Sequence, residues 1–97
     1  MIVVREGINE VILLTAHSKG VVITDFELVI RDTFTDREQV LQKQNTGNPV
    51  LGLFFDLSVS EVGGSGELKL ERKRYIYEVI VHEESEIVVD SGYLIFK

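Results

Sequence analysis

In the last third of the chain, apolar and aromatic residues recur at every second position. The pattern runs through Tyr75–Val81 and recurs around Leu68 and Leu94, and glycine or charged residues separate the three segments. A period of two residues is typical of strands that bury one face. This stretch therefore predicts an antiparallel β-sheet, and it constrains the fold more than any other feature of the sequence.

Shorter alternating or β-branched segments continue the pattern along the rest of the chain, and turn residues separate them. We predict one all-β domain over residues 1–97, an antiparallel β-sandwich of the immunoglobulin-like type with about eight short strands. The segments assigned to strands are Ile2–Val4, Ile8–Thr15, Phe26–Arg31, Gln39–Gln44, Leu53–Val59, Glu67–Leu70, Tyr75–His82, Ile87–Val89 and Tyr93–Phe96. Their apolar faces predict a core of Val11, Leu13, Phe26, Leu28, Ile30, Phe55, Leu57, Leu68, Leu70, Tyr77, Val79, Val81 and Leu94.

Residues 36–44 leave a choice between strand and helix. Thr35–Glu38 matches a helix capping box, but only Val40 and Leu41 in the segment that follows are apolar. A short helix with almost no face to bury is marginal in water. We prefer a strand at Gln39–Gln44 that pairs with Phe26–Arg31, with the helix as the alternative.

Gly63–Gly66 resembles a phosphate-binding loop only in its glycine content. Such a loop leads into a helix, whereas a strand is predicted to follow here. We interpret the segment as the turn of a β-hairpin.

Composition narrows the classes of partner. The chain has no cysteine, which excludes disulfides and thiolate metal sites, and its formal net charge of −6 disfavours nucleic acid and anionic membranes. The amino terminus shows no basic leader before an apolar run, and Val11–Leu14 is too short to cross a bilayer. We expect no nucleic-acid partner and no membrane partner.

No group of residues with catalytic spacing stands out. His17 and His82 are far apart in the sequence, and no serine lies in a nucleophile elbow. We expect a protein that is not an enzyme, with no catalytic residue, no cofactor and no metal. Weak calcium binding at the acidic turn of Glu83–Glu86 with Asp90 stays open as an alternative.

Both ends of the chain are strongly apolar, and chain ends usually fray unless something holds them. Either the two ends pair within one sheet, or one of them adds to the sheet of a neighbouring molecule. The polar loop Asn45–Pro49 and the basic cluster Arg72–Arg74 are further candidates for contacts, although the cluster is also suited simply to solvating a turn. The candidate contact residues are Ile2, Val3, Val4, Asn45, Thr46, Gly47, Asn48, Arg72, Lys73, Arg74, Tyr93 and Phe96.

The order of features from Phe26 onward resembles that of small β-sandwich virion structural proteins of tailed phages infecting Bacteroidetes. The resemblance rests on Leu70, Tyr75, Tyr77 and Val79, and then on Gly92, Leu94 and Phe96. Lys73 stands where the family pattern has glycine, and Ile80 stands where it has a last tyrosine.

This resemblance implies a non-enzymatic structural or assembly protein of the capsid-decoration, head-fibre or tail-adaptor type. Its expected partners are other virion structural proteins, either in a homo-oligomer or in a larger assembly. Its expected location is the virion, after assembly in the host cytoplasm.

Two other classes of function remain as alternatives. One is a small cellular β-sandwich adaptor or carbohydrate-binding module, although the chain has no tryptophan and its tyrosines fall in strands. The other is a regulatory protein that mimics nucleic acid, although the acidic residues are spread over several turns.

Overall fold

The computed structural model describes residues 1–13, 24–46, 52–82 and 86–97. Within these ranges the chain forms eight strands and no helix, which confirms the all-β prediction. The strands are β1 (Ile2–Val4), β2 (Gly7–Leu13), β3 (Asp25–Arg31), β4 (Glu38–Gln44), β5 (Leu53–Ser60), β6 (Leu68–Lys69), β7 (Arg74–His82) and β8 (Glu86–Phe96).

The strands form two sheets. A five-stranded sheet has the order β1-β8-β7-β3-β4, and a three-stranded sheet has the order β2-β5-β6. With β3, β7 and β8 adjacent in one sheet and β2 beside β5 in the other, the order resembles the C, F, G and B, E strands of immunoglobulin-type sandwiches. The pairs β1–β8 and β5–β6 are parallel, so the expectation of a wholly antiparallel sandwich is wrong for these two pairs.

The core lies between the two sheets and contains every residue that the sequence placed there. Phe26 on the five-stranded sheet meets Phe55 on the three-stranded sheet edge to face, with ring centroids 5.1 Å apart. Such a contact is favoured over a face-to-face stack and joins the two layers near the start of β3 and of β5. The core also includes residues that were not predicted: Ile2, Val4, Leu53, Val59, Tyr75, Val89 and Phe96.

The segment that was ambiguous between strand and helix is strand β4, which pairs with β3 along its whole length. In the turn before it, Asp32 Oδ1 accepts a hydrogen bond of 2.9 Å from the Phe34 N–H, and Asp36 has a φ of 60°. This positive φ interrupts the backbone inside the apparent capping box, so no helix begins there. The strand that we preferred is confirmed.

Strand β8 corrects another prediction, because it runs unbroken where two strands with a turn at Asp90–Gly92 were expected. A bulge opposite Val79 and Ile80 absorbs one extra residue and places Val89 in the core. A Cβ atom at Gly92 would lie 3.2 Å from the Tyr77 ring. Because Gly92 has no side chain, it leaves room for the Tyr77 ring of the neighbouring strand, and β8 continues through this position.

The segment Gly63–Gly66 does not close a hairpin, because β5 and β6 run parallel. The Ser60 Oγ accepts hydrogen bonds from the N–H groups of Val62 at 3.1 Å and Gly63 at 3.2 Å. These bonds turn the chain sharply after β5. The two-residue strand β6 then pairs with β5 in parallel.

Tyr75 fixes the corner before β7. Its hydroxyl accepts a hydrogen bond of 2.8 Å from the Glu71 N–H and donates one of 3.1 Å to the Glu71 carbonyl. A tyrosine near the start of strand F that bonds to backbone a few residues upstream is a recurring feature of immunoglobulin-type sandwiches. Burial raises the pKa of this hydroxyl above its usual value.

Replacing Tyr75 with Phe removes both hydrogen bonds but keeps the buried ring. We expect Tyr75→Phe to lower the free energy of unfolding by about 1–2 kcal/mol, because the Glu71 backbone groups lose their partner. Urea unfolding measures the loss. The control is Tyr93→Phe, at a tyrosine that is 48% exposed, and it should change stability by less than about 0.5 kcal/mol. Equal effects at the two positions would contradict the role given to Tyr75.

The two ends of the chain pair with each other. Ile2 to Val4 lie in parallel register with Leu94 to Phe96, and the Lys97 N–H donates a hydrogen bond of 3.0 Å to the Val4 carbonyl. Ile2, Val4 and Phe96 are at most 4% exposed, so this pairing belongs to the core of the chain itself.

Adjacent valines in β1 offer a matched test of this arrangement. Val4 is fully buried and Val3 is 43% exposed. Val4→Ala should destabilise the chain by about 2 kcal/mol and Val3→Ala by much less, because only the first removes buried apolar surface. The comparison uses urea unfolding at low protein concentration. Similar losses from both variants would show that β1 is not packed in this register.

Candidate protein-binding surface

The outward side of the five-stranded sheet carries an unusual number of apolar side chains. On β7 the odd-numbered residues from Tyr75 to Val81 face the core, so Ile76 and Ile80 face outward. The strand register then places the cross-strand partners of these residues on the same side. We call this surface the outer face; its apolar members are Val3, Val29, Val40, Ile76, Ile80, Val88, Tyr93 and Ile95.

The members of the outer face are exposed to different degrees. Val3, Val40, Val88 and Tyr93 are between 43% and 52% exposed. Val29 is only 7% exposed, yet it does not belong to the core cluster between the sheets. The register places Val29 beside Val40 and Glu78, and Glu78 with Ser91 separates the apolar pair Ile76 and Tyr93 from the pair Ile80 and Val88. Exposed apolar surface of this kind on a soluble domain typically marks an interaction site.

Charged groups lie at the two ends of the outer face. At one end are Arg31, Arg74 and Glu38, which is the register partner of Arg31, and the Arg74 guanidinium lies 4.5 Å from the centroid of the Tyr93 ring. At the other end are Asp25 and Glu27. The apolar side chains of the outer face are suited to holding a protein partner, and its charged groups are suited to orienting one.

Glu27 is fixed in place by two neighbours. Its Oε1 accepts a hydrogen bond of 2.8 Å from Gln42 and lies 3.0 Å from the His82 Nε2. The hydrogen bond from Gln42, followed by the one from His82, lowers the pKa of the carboxyl group below its usual value. Glu27 therefore presents a positioned negative charge at neutral pH.

The edges of the five-stranded sheet are less suited to binding than its face. Strand β1 has only three residues. On the inward side of β4, Gln39 donates a 2.8 Å hydrogen bond to the Lys69 carbonyl, and the Lys43 Nζ donates one of 2.9 Å to the Asp56 carbonyl. Short edge strands and inward-pointing charges are common ways to prevent edge-to-edge pairing.

The terminal residues predicted to make contacts divide into two groups. Ile2, Val4 and Phe96 are buried in the core, so their side chains are not available to a partner. Val3 and Tyr93 belong to the outer face. Of the two arrangements proposed for the chain ends, the structure therefore has the ends paired within one sheet.

The predicted contact loop is described only in part. Phe54 donates its N–H to the Asn45 Oδ1 at 3.1 Å, and the Thr46 Oγ1 donates a 2.9 Å hydrogen bond to the Phe54 carbonyl. Asn45 and Thr46 thus fasten the start of the loop to β5. Gly47 and Asn48 lie outside the described residues.

The basic residues of the 72–74 cluster are engaged within the chain. The Arg72 side chain donates hydrogen bonds to Glu61 and to the Lys97 carbonyl, lies 3.3 Å from the Glu6 Oε2, and packs 4.7 Å from the centroid of the Phe96 ring. Its contacts join three distant parts of the chain at the open end of the sandwich. We therefore assign Arg72 a structural role.

Lys73 lies in a cleft of about 480 Å³ between the β3–β4 turn and the segment before β7. Its Nζ is 2.6 Å from the Asp32 Oδ2 and 3.7 Å from the Glu71 Oε2. The hydrogen bond between Lys73 and Asp32 raises the pKa of the lysine and lowers that of the aspartate. A protonated lysine and an ionised aspartate bound to each other offer neither a free base nor a nucleophile.

Asp32→Asn removes the charge but keeps an oxygen that can accept from the Phe34 N–H. The folded-state pKa of Asp32 lies below its unfolded value, so its charge stabilises the fold above the unfolded pKa and stops doing so as pH falls through the folded pKa. We expect the variant to melt at a lower temperature than wild type at about pH 7, and the gap to narrow as the pH falls through the folded-state pKa of Asp32. Thermal unfolding followed by circular dichroism measures both.

Asp36→Asn is the matched control, because it removes an exposed carboxylate from the same turn. Asparagine tolerates the positive φ at this position, so the substitution should change the melting temperature little at neutral and at acid pH. A gap between wild type and Asp32→Asn that persists in acid would contradict the ion pair as its cause.

Metal and membrane sites were also considered. Among the described residues, no group of three or more His, Asp or Glu side chains is arranged to hold a metal ion. The same ranges contain no helix long and apolar enough to span a membrane. His17 and residues 83–85 of the acidic turn lie outside the described residues, so the alternative of calcium binding there stays a prediction.

Comparisons with protein-family models, with curated proteins and with solved structures find no match for this chain.

Most of the outer face was not selected from the sequence. Of its apolar members, only Val3 and Tyr93 were among the predicted contact residues. A signal was present, because Ile76 and Ile80 make Tyr75–Val81 apolar at both odd and even positions. A strand with only one buried face would have polar residues at the even positions, as it has at Glu78.

Proposed function

We propose that this chain is a non-enzymatic structural protein of a phage particle, which assembles with other virion proteins through the outer face. The observation that carries the binding role is the number of exposed apolar side chains on the outer face of the five-stranded sheet. The virion setting is supported by the resemblance carried by Tyr75, Tyr77 and Gly92 in the last third of the chain.

The fold supports these sequence features with specific contacts. The Tyr75 hydroxyl fixes the corner before β7, and Tyr77 fills the core beneath Gly92. These residues preserve a rigid sheet, and a rigid sheet presents side chains to a partner at little cost in conformational entropy. A static component of an assembly needs such a surface more than it needs reactive groups.

A cellular adaptor would use the same surface in a different setting. A carbohydrate-binding module is less well supported, because Tyr75 and Tyr77 are buried. The guanidinium of Arg74 also covers the ring of Tyr93, the exposed tyrosine, on which a sugar would otherwise stack. The assembly role therefore ranks above sugar binding.

Peptide mass spectrometry of gradient-purified particles tests the virion role. We expect peptides of this chain at a constant ratio to those of the major shell protein across the particle fractions. Their absence from particles, while the chain is abundant in the same cells, would overturn the virion assignment and favour the adaptor.

A double variant tests whether the outer face makes the contact. Val40→Glu with Val88→Glu places two carboxylates on the outer face, and burying them without partners is costly. We expect incorporation into particles to fall at least about tenfold. The control is Ile8→Glu with Val62→Glu, at positions that are 77% and 82% exposed and away from the outer face.

The control should be incorporated like wild type, and both variants should keep the wild-type circular dichroism spectrum. Equal incorporation of the two double variants would show that the outer face does not mediate assembly.

A further inference from the structure

We propose that the outer face binds a second copy of this chain in a two-fold symmetric dimer. Each strand of one copy lies across the same strand of the other copy and runs in the opposite direction, and we call this arrangement head-to-tail. This inference rests on the proposed role of the outer face in assembly. It adds the identity of the partner and the geometry of the contact.

The charges at the ends of the outer face select the arrangement. Arg31 lies at one end of β3 and Glu27 lies towards the other, on the same side of the sheet. Among the described residues Arg31 forms no ion pair, whereas Glu27 is held in place by Gln42 and His82. The face thus carries an unpaired positive charge and a positioned negative charge on one strand.

A two-fold axis in the plane of the interface and perpendicular to the strands brings these charges together. The axis passes through the row that contains Glu78, Val29 and Val40, which the strand register aligns. A residue two positions from this row on one strand then faces a residue of the same strand in the second copy, which lies two positions from the row in the opposite direction. Arg31 faces Glu27 twice, once in each direction, as an isologous contact requires.

The same operation matches the apolar residues. Ile76 faces Ile80 of the second copy, and Tyr93 faces Val88, because Tyr93 is the register partner of Ile76 and Val88 is that of Ile80. Packed sheets lie about 10 Å apart, a gap that an arginine and a glutamate can bridge together.

An axis parallel to the strands would be unfavourable. To cover all five strands it would have to run over β7, the middle strand, where it would set Arg74 against Arg74 of the second copy as well as Glu78 against Glu78. Like charges that face each other across an interface are strongly disfavoured. The head-to-tail arrangement instead sets Arg31 against Glu27 in both directions, and its remaining cost is the facing pair of Glu78 carboxylates at the axis.

The size of the face indicates a weak dimer. Its five strands, about 4.8 Å apart and about seven residues long, span a plane of roughly 550 Å². A standard interface buries about 800 Å² on each partner, so this one falls at the small end of the range. The two Glu78 carboxylates also meet near the axis and weaken it further. We therefore expect a weak dimer that dissociates on dilution.

Sedimentation equilibrium over about 5 µM to 1 mM tests the dimer. Wild type should pass from monomer to dimer within this range, and Glu78→Gln should tighten the dimer at least about tenfold by removing the like charges at the axis. A monomer at all concentrations for both proteins would overturn the inference.

Charge exchange tests the arrangement. Arg31→Glu and Glu27→Arg should each weaken self-association at least about tenfold, because each places like charges in contact. An equimolar mixture of the two variants should associate about as tightly as wild type, since in the mixed dimer both contacts again join opposite charges. A dimer that neither variant weakens, or a mixture without recovery, would overturn the head-to-tail geometry.

Two controls keep the test independent of folding. Glu10→Arg makes the same charge change at an exposed position on β2, away from the outer face, and should leave association unchanged. Dilution of ¹⁵N-labelled wild type should shift the amide signals of Ile76, Ile80, Val88 and Tyr93, but not those of β2 and β5. Shifts confined to β2 and β5 would place the contact elsewhere.

The particle assay separates this inference from the proposed function. If the chain stays monomeric but Val40→Glu with Val88→Glu is still lost from particles, a different virion protein occupies the outer face. In that case the dimer is wrong and the assembly role stands.

Discussion

The register of β7 is the constraint on which the rest of the structure depends. This strand lies at the centre of the five-stranded sheet, between β3 and β8, and its odd-numbered residues from Tyr75 to Val81 face the core. Because side chains alternate, a slip of one residue would exchange the core set for Ile76, Glu78 and Ile80. The same alternation therefore sets both the packing of the core and the composition of the outer face. The Tyr75 hydroxyl, bonded to Glu71, holds this register at the start of the strand.

Local patterns in the sequence predicted much of this fold. The alternation in Phe26–Arg31 and Tyr75–His82 assigned the correct faces, and the poverty of apolar residues after Thr35 correctly favoured strand over helix. The errors arose where distant parts of the chain decide the outcome. Asp90–Gly92 has the composition of a turn, but Gly92 faces Tyr77 on the neighbouring strand, so the strand continues. The parallel pairing of β1 with β8 joins the two ends of the chain, a contact that no local pattern encodes.

The candidate site was harder to predict for a related reason. The basic cluster is the most conspicuous charged motif in the sequence, yet Arg72 reaches Glu6 and Lys73 reaches Asp32, which are 66 and 41 residues away. These partners turn an apparent docking patch into cross-links within the fold. The outer face, in contrast, is assembled from one to three apolar residues on each of five strands. Its members become a surface only when the order of the strands is known.

The parallel contact between β1 and β8 has a mechanical consequence. The chain enters the sheet at the start of β1 and leaves it at the end of β8, and the two strands lie side by side in the same direction. A force pulling the two ends apart would slide one strand along the other, so that it strains all of their hydrogen bonds together instead of opening them one at a time. Tension along the chain therefore loads this pair of strands in shear and not by unzipping.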